Sequence, residues 1–545
     1  MRQLTTILVA SLGLTAACSQ TEVPDRPEPP VLRVLSPDRG TMTPGLATIE
    51  VRGTATPSPD SGTAVTRVEV NGNAARLDAS GNWNATITLQ PGANLIHTIA
   101  TDADGLIAND TRGLVTGDLR SLDMVVENAI GAGLSAAAFD KLGDTAATLV
   151  AQTDLGAFVA PFNPVIAKGL DNGEEDCLYG KVSVKPGLDV ANAFMSLVPN
   201  ASGLMLDVEL VGVNIPLHAR YAAACLDADT DISITAQRAR IRGSLAITVV
   251  NGRFDVKLVN PTVTFTGFML NAGGVPGAVL DLLDLDQEIA DTLAWAVERF
   301  TAPLVNKALT GVEVGPQNLN VLGQTLRVAV APAGVAFDAA GAEVVLDGSL
   351  TVQGASAKFV YTENQVPPGR GDAGIALAVA DDSINQLLTG FWSRGGLNMA
   401  IEKDLGMFDA VRLDAMLPPV VSAGADGSMR LLMPDLMVEF RDDGQMMARV
   451  AMTVEMKLKV VPANSTYAAR IAIELPTLRA DVLENIMGMP DTELEKLFPA
   501  AVESTIATFA PLLGAVPLPA VQGIVITDLH MGGDDGYVTI SADLN

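Results

Sequence analysis

Residues 374–397 read GIALAVADDSINQLLTGFWSRGGL, and this stretch decides the fold. Asp382 or Ser383 can cap a helix start, because a short side-chain oxygen accepts from a free N–H of the first turn. Ile384, Leu387, Leu388 and Phe391 recur at three- and four-residue intervals and share one helical face. Gly395-Gly396 stops the helix, since glycine takes the left-handed conformation at a helix end without strain. A single amphipathic helix must bury its apolar stripe against another element, here a sheet.

The rest of the second half supplies that sheet. Leu431–Phe440 and Met446–Val461 read as long strands joined by a turn at Asp442-Asp443-Gly444. Thr492-x-x-Glu495 has capping-box spacing and opens a late helix with the stripe Leu494, Leu497, Phe498, Val502, Phe509 and Leu512. The first half repeats this order. An early helix lies within Ala136–Val165, with Phe139, Leu142, Leu149, Leu155, Phe158 and Phe162 as apolar positions. Strands follow at Leu204–Val213, Ile232–Ala236, Ile241–Val250 and, after an Asn251-Gly252 turn, Phe254–Val259. A late helix over Val279–Leu309 carries Leu282, Leu285, Ile289, Leu293, Val297, Phe300 and Leu304. Strands this long beside single amphipathic helices imply strongly curved antiparallel sheets, each wrapped on a helix. That geometry can leave an apolar lumen. The expected class is therefore α+β, with a curved sheet wrapped on a helix in each half, residues 117–323 and 324–545.

Composition agrees with a large apolar interior. Of 545 residues, 48% are hydrophobic and 18% charged, below the quarter or so usual in soluble chains. After the first 20 residues no uninterrupted apolar run reaches the roughly 18 residues that a membrane-spanning helix needs. The formal charge of −28 repels nucleic acid and anionic head groups, so any lipid affinity must come from buried acyl chains. Twelve of the 19 Met residues fall between Met399 and Met489. Met suits irregular apolar surfaces. Met433, Met437, Met447, Met452 and Met456 alternate or nearly alternate along strands, so several can line one wall; ordinary core filling is the plainer reading of any one of them.

The N-terminus, MRQLTTILVASLGLTAAC, has a positive start, an apolar core too short to span a bilayer and small residues before Cys18. It resembles a bacterial lipoprotein signal. The resemblance implies removal of residues 1–17, acylation of Cys18 and, with Ser19 rather than Asp following, an outer-membrane destination facing the periplasm or the cell surface. Residues 18–30 are polar and Pro-rich and read as a tether. Cys177 and Cys225 remain. In an oxidising compartment such a pair reads as one disulfide, the alternatives being two buried thiols or, with no His or further Cys close by in sequence, a poor metal site.

Residues 31–116 show short alternating strands punctuated by Asn71-Gly72, Ser80-Gly81-Asn82 and Pro91-Gly92. This β-sandwich pattern resembles the bacterial immunoglobulin-like repeats of cell-envelope proteins, which implies a spacer or adhesion module.

Residues 117–545 resemble the bactericidal/permeability-increasing and lipopolysaccharide-binding proteins of the tubular lipid-binding superfamily. Three stretches carry the resemblance: VVLDGSL (344–350), GIALAVADDSINQLLTGFWSRGGL (374–397) and AVPLPAVQGIVITDLHMGGDDGYVTISADL (515–544). The first half matches mainly in element order. The resemblance implies two barrels joined end to end by a central sheet, each holding a phospholipid-sized ligand, and one disulfide in the first barrel. Relatives that neutralise lipopolysaccharide use a basic tip. No Lys- or Arg-rich tip is evident in this acidic sequence, so acyl-chain binding is implied rather than endotoxin binding. The wall residues expected at lipid are Leu293, Val297 and Phe300 in the first half. In the second they are Leu387, Phe391, Met433, Met437, Met452, Met456, Leu497 and Phe509.

Catalytic signatures are weak. The three His residues are dispersed, and no G-x-S-x-G elbow, P-loop or dinucleotide-binding motif occurs. Asp227-Ala228-Asp229-Thr230-Asp231 resembles half a calcium loop but lacks the later Gly and Glu, and reads as a solvated turn. The expectation is a monomeric, non-enzymatic, cofactor-free lipoprotein that binds or shuttles phospholipid or another amphiphile. The rival is a structural or adhesive envelope protein with filled barrels.

Overall fold

The computed structural model describes residues 28–545, apart from 153, 172–173, 286, 293, 296–297, 300–315, 322, 363–364, 370–373, 403–407, 425–427, 463–467, 474–476, 488–490, 492–493, 496–514, 518–525 and 545. The described chain is mostly β with few helices. It divides into two compact units.

The smaller unit contains residues up to 37, 50–87 and 97–110. In it Val31–Ser36 pairs with Thr48–Thr56, and Val65–Val70 pairs with residues 98–102. The Asn71-Gly72 turn takes positive φ at both residues (49° and 76°), as a tight hairpin requires. Trp83 is buried over Gly53, where a Cβ would come within 2.7 Å of the indole.

The larger unit holds residues 38–49, 88–96 and 111–545. Its chain enters through β1 (Val126–Ser135) and passes without a break into α1 (Ala136–Gln152). A short helix, Leu155–Val159, follows, capped by Asp154, whose Oδ1 accepts from the Gly156 and Ala157 N–H groups. The first large sheet has the order Ile166–Asp171, Glu174–Val184, β3 (Gly203–Ala223), β4 (Leu226–Val250), β5 (Arg253–Thr266). Strand β2 (Asn192–Asn200) pairs with β3 off that path. Leu204, Leu206, Val208 and Leu210 face inward. Gly212, at φ 65°, then switches the inward set to Val213, Ile215 and Leu217. These residues, with Phe139, Ala146, Ala147 and Val150 of α1, form the largest apolar core.

The expected late helix of the first half breaks early. Helix α2 spans Gly277–Leu283 and ends where Asp284 turns left-handed (φ 46°); helix resumes over described residues beyond it. Phe162, expected in the core, is exposed and stacks edge-on against Trp295. The stretch 227–231 is not a turn. It is the first part of β4, paired with residues 218–222, and the turn lies at Ala224 and Cys225, both at positive φ. Cys225 is joined to Cys177 by a disulfide, 48 residues apart in sequence.

A second seven-stranded sheet mixes the halves. Its order is Gln317–Val321, β6 (Gln324–Asp338), β7 (Gly341–Val352), β1, β8 (Ile375–Ala380), then Tyr537–Leu544 and Ile526–Asp534. Helix α3 (Asp381–Ser393) leaves β8 directly. Its end is the expected one: Gly395 has φ 68° and the Gly396 N–H bonds the Phe391 carbonyl at 2.9 Å. Its start is not. Ala380 occupies the cap position, and Asp381 and Asp382 lie in the first turn.

The third sheet contains β9 (Met429–Asp442), β10 (Gln445–Pro462) and β11 (Thr477–Asn485), with β10 between its two partners. Within β9 the register slips between Met433 and Leu436, because Asp435 is left-handed at φ 47°. The slip reverses which side chains point inward.

Candidate functional site

The first core has a seam. Helix α1 lies along the edge of β2 that does not pair with β3. Contact is close because Gly143 faces that edge: a Cβ there would sit 2.6 Å from the Met195 carbonyl oxygen. Beside the seam a cavity of about 700 Å³ is lined by α1 (Asp144, Ala147, Thr148, Ala151, Gln152), by β2 and by outward residues of β3 and β4. Its floor includes Ala147, Ala193 and Met195, which belong to the apolar core. Its rim is polar, and Phe194 stands in it 56% exposed. On the rim Asp207 accepts from Arg240 at 2.8 and 2.6 Å and from Arg242 at 3.0 Å. These bonds, Arg240's above all, hold the Asp207 carboxyl below its ordinary range. The groove thus sets an apolar floor directly under a rim of charges and hydroxyls. The sequence places lipid on the late helices, on Leu387 and Phe391 and on the Met-rich strands, and does not point to this seam.

The expected wall residues divide. Cys18, Leu293, Val297, Phe300, Leu497 and Phe509 lie outside the described residues or side chains. Met452 and Met456 are buried in the second core, with Met433 packed partly against it. Met437 pairs with Ala451, on the opposite face from Leu436 and Val438, because of the slip at Asp435. Leu387 and Phe391 also point away from that core: they pack with Leu326 and Val352 of the mixed sheet, while Ile384, Leu388 and Trp392 face the second core. Helix α3 thus has two apolar faces.

Between those faces lies a polar set that the sequence reading left unused. Asn385 exchanges two hydrogen bonds with the Val421 backbone, at 2.7 and 3.0 Å. Gln386, fully buried, donates to the Leu122 and Met124 carbonyls and accepts from the Leu350 N–H. Asp381 accepts from the Ala423 N–H, and Asp382 from the Thr362 N–H and hydroxyl. Burial raises both carboxyls, Asp381 to about 6 and Asp382 to about 7, with their mutual repulsion adding to the second. The signal was available: DDSINQ puts polar residues all round the first turns of a helix whose flanks are apolar.

A second buried ionic set fixes the slip in β9. Arg39 donates to Asp435 at 3.1 Å, to Asp481 of β11 at 3.0 Å and to the Thr111 carbonyl at 2.7 Å. The Gly40 N–H donates to Asp435 at 2.9 Å. Nearby, burial first and Asp481 second push the Glu495 carboxyl up to about 7. No group of three or more His, Cys, Asp or Glu among the described residues is placed to hold a metal ion, and no described helix is long and apolar enough to cross a membrane.

No protein-family model matches the chain, and neither does any curated protein sequence. Among solved structures, a lipopolysaccharide binding protein is similar over 77% of this chain and 99% of its own, at 14% identity and a TM-score of 0.34. P47 of Clostridium botulinum E1 is similar over 77% of this chain and 100% of its own, at 9% identity and a TM-score of 0.23. Both likenesses are distant, and the functional reading rests on the chain's own residues.

Proposed function

We propose that this protein is an envelope lipoprotein that takes up phospholipid or a similar amphiphile in the apolar interiors of two tandem barrels. The observation that carries the reading is the groove beside α1, whose floor is made of core side chains and whose rim is polar. Transfer of a chain from water to such a floor gains about 0.8 kcal/mol per methylene, so binding needs no basic face. In this reading Cys18 carries the acyl anchor to the outer membrane, residues 31–116 form an immunoglobulin-like spacer, and the protein acts as a monomer without catalysis.

The scaffold reading has its own support: Leu204, Leu206, Met452 and Val454 have no exposed surface, as in a filled core. Native mass spectrometry of the exported protein, with organic extraction of what co-purifies, separates the two. Adducts of phospholipid mass are expected. A bare mass that takes up no added lipid would establish the scaffold.

A further inference from the structure

We propose that the first turn of α3 is a proton-operated junction: while Asp381 and Asp382 are neutral they bind three chain segments together, and once ionised they let those segments part. This goes beyond the lipid-binding reading and does not rest on it.

The geometry comes first. Asp382 accepts from the Thr362 N–H at 3.0 Å and from its hydroxyl at 3.2 Å, just past the strand Lys358–Tyr361. Asp381 accepts from the Ala423 N–H at 3.1 Å, at the end of the strand Val420–Ala423. The Asp381 N–H donates to the Gly536 carbonyl at 2.8 Å, and the Gly536 N–H donates to the Ala423 carbonyl at 3.0 Å. One helical turn thus joins a strand that pairs with residues 118–121, a strand of the third sheet and the turn of the closing hairpin.

The ladders of these strands run to other partners and do not tie the three segments to one another. Packing between them is light. Of residues 358–362, 420–423 and 535–537, only Val421 belongs to one of the two large cores. The other buried ones sit in small clusters, such as Phe359 with Tyr361 and Tyr537, or Ala423 with Met429 and Val538. The bonds to the two carboxyls therefore decide whether the junction holds. Asn385 and Gln386, neutral at any pH, fix the body of α3 in either state.

Charge opposes that hold. Asp382 is 1% exposed and Asp381 7%. The Asp381 Oδ1 is buried with no hydrogen-bond partner among the described residues, so a charge on it is uncompensated there. The groups that face the pair are Asp535 on the hairpin turn, Arg120, Tyr361 and Tyr537; residues 420–423, VVSA, bring none that titrates. Arg120 is the cation of this set, and it also bonds Asp118 at 2.7 Å and stacks on Tyr361. A helix N-terminus favours negative charge. Burial outweighs it here, because both carboxyls are raised, to about 6 and about 7. The junction is therefore closed below about pH 6 and opens as pH rises through about 7.

The test is hydrogen–deuterium exchange of the full chain, read by mass spectrometry at about pH 5 and about pH 8 and corrected for the intrinsic rate at each pH. No ligand is added, so the outcome is separate from lipid binding. Peptides carrying Thr362 and Ala423 are expected to lose protection by about tenfold or more at the higher pH, while α1 keeps its own. Asp381→Asn with Asp382→Asn is expected to abolish that difference. Should the double variant not fold, Asp382→Asn alone removes the more strongly raised carboxyl and is expected to shrink the loss severalfold. Equal loss in α1 and in the junction peptides would overturn the junction and leave only a global dependence of stability on pH. An undiminished loss in either variant would overturn the role of the pair.

Discussion

The two long-stranded sheets solve one problem in opposite ways. Each must reverse, part-way along a strand, which side chains face its core. In β3 the reversal falls at Gly212, which adopts φ 65° with no side chain to place; a Cβ there would lie 2.8 Å from Ala191. In β9 it falls at Asp435, which adopts φ 47° with a buried carboxylate. That carboxylate needs a partner, and the partner is Arg39, 396 residues away in sequence. The helices differ in the same sense. The α1 face on β2 is packed with small apolar residues, whereas α3 is tied down by Asn385 and Gln386 through backbone groups on three neighbouring segments. Local, apolar devices hold the first half together. Long-range polar devices make the second half a fixed frame.

The largest expected effect breaks the frame. Arg39→Leu leaves Asp435 and Asp481 buried without their cation, and loss of one partner of a buried ionic set costs about 3–5 kcal/mol. Chemical denaturation is expected to show that loss. A shift under 1 kcal/mol would mean that the slip in β9 holds itself, as Gly212 does, and the contrast would fail.

A smaller effect sharpens the contrast at the helices. A carboxyl that binds its proton more tightly in the folded than in the unfolded chain stabilises the fold where it is protonated. Asp381 and Asp382, raised from 3.8 to about 6 and about 7, contribute fully below pH 4 or so, and their contribution is lost as pH rises through 6 and 7. Groups facing them include Asp535, Arg120, Tyr361 and Tyr537. The melting temperature is therefore expected to fall between pH 5 and 8, and Asp381→Asn with Asp382→Asn to flatten that slope. An unchanged slope in the double variant would move its origin elsewhere, Glu495 being the next group to test.

What was legible in the sequence follows the range of the interactions. The body of α3, its glycine stop, the Asn251-Gly252 and Asp443-Gly444 turns and the Cys177–Cys225 pair are set by residues close in sequence or by composition and stand where expected, whereas the start of α3 does not. The break at Asp284 was hidden because the apolar stripe continues on both sides of it. The inward face of α3 was half misread: periodicity placed Ile384, Leu387, Leu388 and Phe391 on one stripe, but two sheets share the helix and divide it. The seam groove had no sequence signal, because Ala, Gly and Thr on a helix look like filler. Asp435 after Pro434 was the one visible hint of the slip in β9, and its meaning depended on Arg39.

That slip gives the smallest and most selective prediction. Strict alternation along β9 would carry Met433 and Met437 on one wall with Met452 and Met456. The register instead pairs Met433 with Val454, Leu436 with Met452, and Met437 with Ala451. Met437 is partly exposed and outward, whereas Met452 has no exposed surface. A lysine at 437 can run its methylenes along the sheet and keep its ammonium in water. Met437→Lys is therefore expected to change stability by less than about 1 kcal/mol and to leave lipid uptake intact. Met452→Lys puts an unpaired cation into the core and is expected to unfold the third sheet. Equal damage from both substitutions would mean that β9 runs in its unslipped register. Asp435 would then have no reversal to make, and the difference between the two sheets would vanish with it.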